Sequence, residues 1–149
     1  MGDFTIRRAT VQDAALILVL ITELAHYEKL QDQLILTESE IARDFFAAQP
    51  IVFCDLIFAD GEPVGLAIWY WTYATFRARR GLYVEDLYVR PAWRKRGYGK
   101  ALFAHLAKTA LAADAQRLEW LVLDWNAPSI AFYEGIGGTP LTGWRSFRL

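Results

Sequence analysis

Residues 82–105, Leu-Tyr-Val-Glu-Asp-Leu-Tyr-Val-Arg-Pro-Ala-Trp-Arg-Lys-Arg-Gly-Tyr-Gly-Lys-Ala-Leu-Phe-Ala-His, narrow the folds open to this chain more than any other stretch. An apolar run meets a basic, glycine-containing turn, and a helical pattern follows at once. Leu82, Tyr83, Val84, Leu87, Tyr88 and Val89 read as a buried strand, because aromatic and β-branched residues suit the pleat. Pro91 ends its ladder, having no N–H. Glu85 and Asp86 sit inside this run. From Lys100 to Ala113, Ala101, Leu102, Leu106, Ala107 and Ala110 recur at helical spacing, so Gly97 and Gly99 fall at a helix N-terminus.

A helix start offers free backbone N–H groups and the positive end of the macrodipole. It binds phosphate where no side chain holds the anion off the backbone. Two glycines remove that obstacle, and Arg94, Lys95 and Arg96 add charge to steer and clamp an anion. A ligand carrying a pyrophosphate is the first expectation. A P-loop does not fit: Lys100 is followed by Ala101, and neither Ala92 nor Trp93 supplies the opening glycine. A dinucleotide fingerprint starting at Gly97 would need glycine where Leu102 stands, far from the first strand of any doubly wound unit.

At 149 residues the chain is expected to be one domain, residues 1–149, burying about 70% of its unfolded surface in a single core. A net charge of −1 argues against nucleic-acid binding and leaves the basic turn as a local site. One cysteine, Cys54, allows no internal disulfide, and neither His26 nor His105 has an evident ligand partner, so no metal is expected. The longest aliphatic run, Ala14 to Ile21, is far short of the roughly 20 residues that span a bilayer. A cytoplasmic protein without membrane contact is the expectation.

Taken in order, Phe4 to Arg7 reads as a strand, and a helix to about Lys29 follows, capped by Thr10 with Asp13. Thr37 and Glu40 form a second capping box, for a helix through Ile41, Phe45 and Phe46 that Pro50 closes. Ile51 to Ala59 and Pro63 to Phe76 are strands joined by Asp60-Gly61-Glu62, and another hairpin leads into the Glu85 strand. Leu118 to Leu123 is a buried strand. Ile130 to Ile136 form a short helix with Asn126 as cap, Pro128 in the first turn, and Gly137 and Gly138 as the stop. Trp144 to Leu149 alternates enough for a final strand. This order predicts an α/β (α+β) fold, a mixed, mostly antiparallel sheet of six to seven strands flanked by about four helices.

Arg94-x-x-Gly97-x-Gly99, after a strand and opening a helix, resembles the R/Q-x-x-G-x-G/A signature of the GNAT acetyltransferase superfamily. Asp124-Trp125-Asn126-x-Pro128-Ser129-x-x-Phe132-Tyr133 resembles that family's second acetyl-CoA segment at the expected distance. Tyr83-Val84-Glu85-Asp86-Leu87, Gly143-Trp144-Arg145 and Ala25-His26-Tyr27-Glu28 look like the diamine (spermidine/spermine) acetyltransferase branch, and the element order is similar along nearly the whole chain. The resemblance implies the GNAT fold and acetyl-CoA as cosubstrate. Its pyrophosphate would lie at Arg94, Lys95, Arg96, Gly97, Tyr98, Gly99 and Lys100. The backbone of Leu87, Tyr88 and Val89 would take the acetyl carbonyl and pantetheine like an added strand, with Asn126 and Ser129 also at the pantetheine.

Acetyl transfer to a primary amine requires the neutral amine, whose pKa when free is about 10.4, so the site must accept a proton. Glu85 is the expected base, directly or through a water; the alternative is a carboxylate merely paired with an arginine of the preceding hairpin. Expelling a thiolate calls for an acid near sulfur, and the resemblance implies Tyr133, where the residues alone favour a core tyrosine. Cys54 is expected to be structural. Glu28 and Asp86 are expected to hold a second ammonium, with aromatic surfaces such as Tyr27 and Trp71 beside it. Ala74 and Thr75 stand where the polyamine enzymes carry an acidic residue. Arg77, Arg79 and Arg80 follow, repelling a long polycation, so a lysine-like amino acid fits equally well. Those relatives continue past the position of Leu149, and a tail contribution to substrate binding is expected to be missing.

Three functions stand side by side. A small-molecule amine acetyltransferase leads. An enzyme acting on a protein lysine or N-terminus would need an open groove, which the bulky residues around 28–36 and 69–76 are expected to close. A non-catalytic acyl-CoA-binding module has no need of Glu85 together with Tyr133. The carboxy-terminal strand, with Trp144 and Phe147 on it, would be a hazardous free edge, and relatives are dimers, so a homodimer is expected.

Overall fold

The computed structural model describes residues 2–149. Alternating apolar strands and amphipathic helices build, among these residues, a five-stranded sheet between two helical layers. β1 (Phe4–Arg8), β2 (Phe53–Ala59), β3 (Glu62–Ala74) and β4 (Arg79–Val89) are antiparallel neighbours in chain order. β5 (Leu118–Trp120) pairs with β4 in parallel. The helices are α1 (Ala14–Tyr27), α2 (Glu38–Phe45), α3 (Tyr98–Ala112) and α4 (Ala127–Gly135).

Side-chain period decides which face each element covers. Ile17, Leu20, Ile21 and Leu24 of α1 recur at helical spacing. With Ile41 and Phe45 of α2 they cover one face of the sheet, against Cys54, Leu56, Leu66 and Ile68. Tyr98, Leu102, Phe103, Leu106 and Ala110 of α3 cover the other face, against Ile57, Ala67, Trp69, Leu82 and Val84. Each fully buried aliphatic side chain here contributes about 1.5–3 kcal/mol. Between β2 and α3 lies one buried carboxylate, Asp55, 1% exposed. It accepts from Trp69 Nε1 at 2.7 Å and Arg8 Nε at 2.8 Å, with His105 Nε2 at 3.6 Å.

The local start and turn signals act as expected. The Thr37 N–H donates to Glu40 at 2.9 Å, completing the box that opens α2. Asp60 (φ 51°) and Gly61 (φ 78°) are both left-handed, as a two-residue hairpin turn requires. At Thr10 the N–H donates to Asp13 at 2.8 Å, but Val11–Asp13 is a 3-10 turn and α1 proper begins at Ala14.

Three strand expectations are corrected. β3 ends at Ala74, and Thr75–Arg77 form a 3-10 turn in which Phe76 is fully exposed. Trp144 to Leu149 form no strand, leaving five strands rather than six to seven. A strand needs a partner to satisfy its backbone. β5 spans three residues rather than reaching Leu123, and Gly137 (φ 96°) turns the chain after α4. The tail is left in solvent, with Trp144 81% and Phe147 91% exposed.

One irregularity in β4 shapes everything that follows. Ile68 opposes Asp86 and Trp69 opposes Val84, so Glu85 is an extra, unopposed residue, a β-bulge. Before it, Leu82 and Val84 face α3; after it, Leu87 and Val89 do, while Tyr88 joins the α1 side.

Candidate active site

The basic turn between β4 and α3 is held from below. Arg90 bonds Glu23 of α1 and the Pro63 carbonyl, each at 2.9 Å. Lys95 (φ 61°) and Gly97 (φ 88°) are left-handed and coil the backbone into the helix. Gly97 caps α3 without a side-chain hydrogen bond, so no capping side chain claims the N–H groups of the first turn. At Gly99 an added Cβ would stand 3.2 Å from Phe132 Cζ; the glycine brings α3 close to α4. Arg94 Nε donates to the Val89 carbonyl at 2.8 Å, and Arg96 lies over the Trp93 ring.

β4 pairs with β5 only through Leu82, Tyr83 and Val84. From Glu85 to Val89 the β5-side edge of β4 has no strand partner among the described residues, and it runs toward the basic turn. Such an edge takes an extended ligand as an added strand. Asn126, 5% exposed, caps α4: its Oδ1 accepts from the Ser129 N–H at 3.3 Å and from the Tyr27 hydroxyl at 3.1 Å. Tyr133, two turns into α4, packs on Trp120, Phe132 and Phe103. Burial, followed by the charge of Glu28, pushes its phenol up to about 12, so it stays a proton donor at neutral pH.

On the α1 and α2 side a cavity of about 450 Å³ opens, with Ile21, Leu24, Leu34, Phe45 and Ile68 as apolar walls. Its charged lining is Glu28, Glu85 and Asp86, with no lysine or arginine among the described residues. Burial, then the neighbouring charges of Glu85 and Glu28, pushes Asp86 up to about 7. Burial, then Glu85, raises Glu28 as well. Tyr70 of β3 donates to Glu85 Oε2 at 3.2 Å and stacks on Tyr83. Burial followed by Glu85 pushes the Tyr70 phenol up to about 12.

The three acidic residues read from the sequence are thus brought together, as are Arg94, Gly97 and Gly99 at α3 and Asn126 with Ser129 at α4. Trp71 and Tyr27 are not brought into the acidic cavity. Trp71 lies on the α3 face, edge-on to Trp69 and under Arg80, and Tyr27 turns toward Arg94 and Asn126. Sequence reasoning missed Tyr70 as the partner of Glu85. The signal was its place opposite Tyr83 in the second hairpin.

A model described as the acetyltransferase (GNAT) family matches residues 19–137, which hold the cavity, the basic turn and α4. The chain belongs to the GNAT acetyltransferase family. As a member it is an N-acetyltransferase, and its likeness to curated N-acetyltransferases runs its full length. The thialysine N-epsilon-acetyltransferase of Bos taurus is 38% identical over 159 residues, covering 99% of this chain and 93% of that one. The spermidine/spermine N(1)-acetyltransferase-like protein 1 of Homo sapiens is 33% identical over 158 residues, 99% of this chain and 23% of that protein. The GNAT fold is shared with the integron cassette protein VCH_CASS6 from the mobile metagenome of V. cholerae, at a TM-score of 0.81 and 22% identity over 100% of this chain and 93% of that one.

Proposed function

We propose that this GNAT enzyme moves the acetyl group of acetyl-CoA directly to a primary amine of a small cationic molecule, a diamine or polyamine or a lysine-like amino acid. The observation that carries the reading is the single cavity in which Glu28, Glu85 and Asp86 converge without a balancing cation. Beyond their burial, the charge of Glu85 holds back the ionisation of Glu28 and of Asp86, and a bound ammonium relieves that repulsion. The arginines of the second hairpin do not line this cavity: Arg79 pairs with Asp114, and Arg80 lies on Trp71. The name of the Bos taurus relative, a thialysine acetyltransferase, supports an acceptor with two amino groups.

In this reading the acceptor's distal ammonium rests on Glu28 and Asp86, and its reacting nitrogen loses a proton to Glu85, directly or through a water. The neutral amine attacks the thioester carbonyl, forming the C–N bond. The oxyanion is met by backbone N–H groups on the open edge of β4, where removing even one donor typically costs about 10²–10³ in rate. The C–S bond then breaks, Tyr133 gives its proton to the departing sulfur, and the second proton shed by the attacking nitrogen as the amide forms restores the Tyr133 phenol. Acetyl-CoA fits the residues present: the side-chain-free cap of α3 with Arg94 and Lys95 suits the pyrophosphate, and the β4 edge suits the pantetheine amides.

The exposed apolar residues Trp144 and Phe147 support a homodimer that covers them, which sedimentation tests directly. The free, buried Cys54 supports a reducing compartment, the cytoplasm.

The function is tested by following free-thiol release from acetyl-CoA with spermidine, putrescine, lysine, thialysine and a lysine peptide. Turnover is expected with one class of small diamine. Turnover of the peptide alone would replace the reading with a protein acetyltransferase, and CoA binding without any turnover would point to a binding module.

A further inference from the structure

Tyr27 and Glu28 are adjacent at the end of α1, yet they serve opposite sides of it. Successive helical side chains point about 100° apart, and while Glu28 lines the acidic cavity, Tyr27 does not. Its hydroxyl donates to Oδ1 of Asn126 at 3.1 Å, the same oxygen that accepts the Ser129 N–H. Its ring carries the Arg94 guanidinium, Cζ lying 4.6 Å from the ring centroid. The Nε of the same guanidinium donates to the Val89 carbonyl. One side chain therefore ties together the end of α1, the basic turn and the cap of α4, segments 67 and 99 positions away in sequence for Arg94 and Asn126.

We propose that Tyr27 is a positioning residue for acetyl-CoA, holding Arg94 and the Asn126 cap in place for the cofactor rather than contacting the amine. The inference rests on the reading that the 94–100 turn binds acetyl-CoA. The physical reason is preorganisation. A free arginine carries substantial rotamer entropy, and an arginine already laid on an aromatic ring and bonded at Nε loses less of it when it meets a phosphate. The Asn126 oxygen is buried, so removal of the tyrosine hydroxyl leaves it one partner short and loosens the start of α4.

The test compares CoA affinity by calorimetry with the amine KM at saturating acetyl-CoA, in Tyr27→Phe and Tyr27→Leu. The phenylalanine variant keeps the ring and loses the hydroxyl, and CoA binding is expected to weaken about threefold to fivefold. The leucine variant also loses the cation–π contact, with about tenfold weaker binding expected. The amine KM should stay within about twofold of wild type in both, the split that a general loss of structure or an acceptor contact would not give. A raised amine KM with unchanged CoA affinity overturns the proposal. Arg94→Ala distinguishes the two levels: unchanged CoA affinity there overturns the reading of the turn itself. Lost affinity there, with wild-type affinity in both Tyr27 variants, overturns the role of Tyr27 alone. Should the leucine variant fail to fold, the phenylalanine variant decides.

Discussion

Glu85 and Asp86 are consecutive in β4, yet both carboxylates line the same cavity. In a regular strand neighbouring side chains point to opposite faces. Here Glu85 is the unopposed residue of the bulge between Val84 and Asp86, and the parity of the strand changes at that point. The bulge puts an exposed carboxylate next to a desolvated one.

Asp86, pushed to about 7 from an ordinary 3.8, binds its proton more readily in the folded chain than in the unfolded one. Stability of the ligand-free protein should therefore fall as pH rises from about 4 to about 7. Asp86→Asn removes this penalty: thermal melting at pH 8 should show a gain of up to about 4 kcal/mol, and near pH 4 the two proteins should melt alike. For a diamine the sense is opposite. Its KM should drop as pH rises through about 7, and the asparagine variant should lose that dependence; equal melting at pH 8 would contradict the assignment.

Glu85→Gln and Tyr133→Phe should each lower kcat by about 10²-fold or more, with CoA affinity within about twofold of wild type. Because the Tyr133 phenol is pushed up to about 12, the pH–rate profile should show no loss attributable to its ionisation below about pH 10. Stopped-time thiol assays across pH 6–10 provide the check. A Tyr133→Phe enzyme as fast as wild type would return Tyr133 to the core.

Gly97 holds φ 88° at the cap of α3. Alanine there should cost about 1 kcal/mol in stability. On the proposal that the first turn of α3 takes the pyrophosphate, a side chain at this cap would hold the anion off the backbone, and CoA should bind about tenfold more weakly. Calorimetry with CoA against the melting temperature separates the two effects.

Asp55 satisfies the indole N–H of Trp69, a side chain 2% exposed, and pairs with Arg8. Asp55→Ala leaves a buried donor without an acceptor and should cost about 3 kcal/mol, a drop in melting temperature of roughly 6–10 °C. Activity per folded molecule at low temperature should be retained. A loss of activity without a loss of stability would place Asp55 in the reaction instead.

The parts of this protein that the sequence determined by itself are those whose physics is local. A Thr-Glu box opens α2, Asp60-Gly61 turns a hairpin, and Arg94, Gly97 and Gly99 lie within six residues, so their joint meaning needs no knowledge of the rest of the chain. Asn126 as the cap of α4 belongs to the same class. What the tertiary structure alone decided depends on partners distant in sequence. The bulge at Glu85 exists only in register with Ile68 and Trp69. The burial of Asp55 follows from α3 closing over β2, with Arg8 and Trp69 supplying its donors. Tyr27 and Trp71, read from residue type as acceptor surfaces, are aimed by helix rotation and strand parity toward Arg94 and toward the α3 face. The alternation of the last six residues was visible too, but a strand is a property of two chains of atoms. β5, three residues long, gives that pattern no ladder to join.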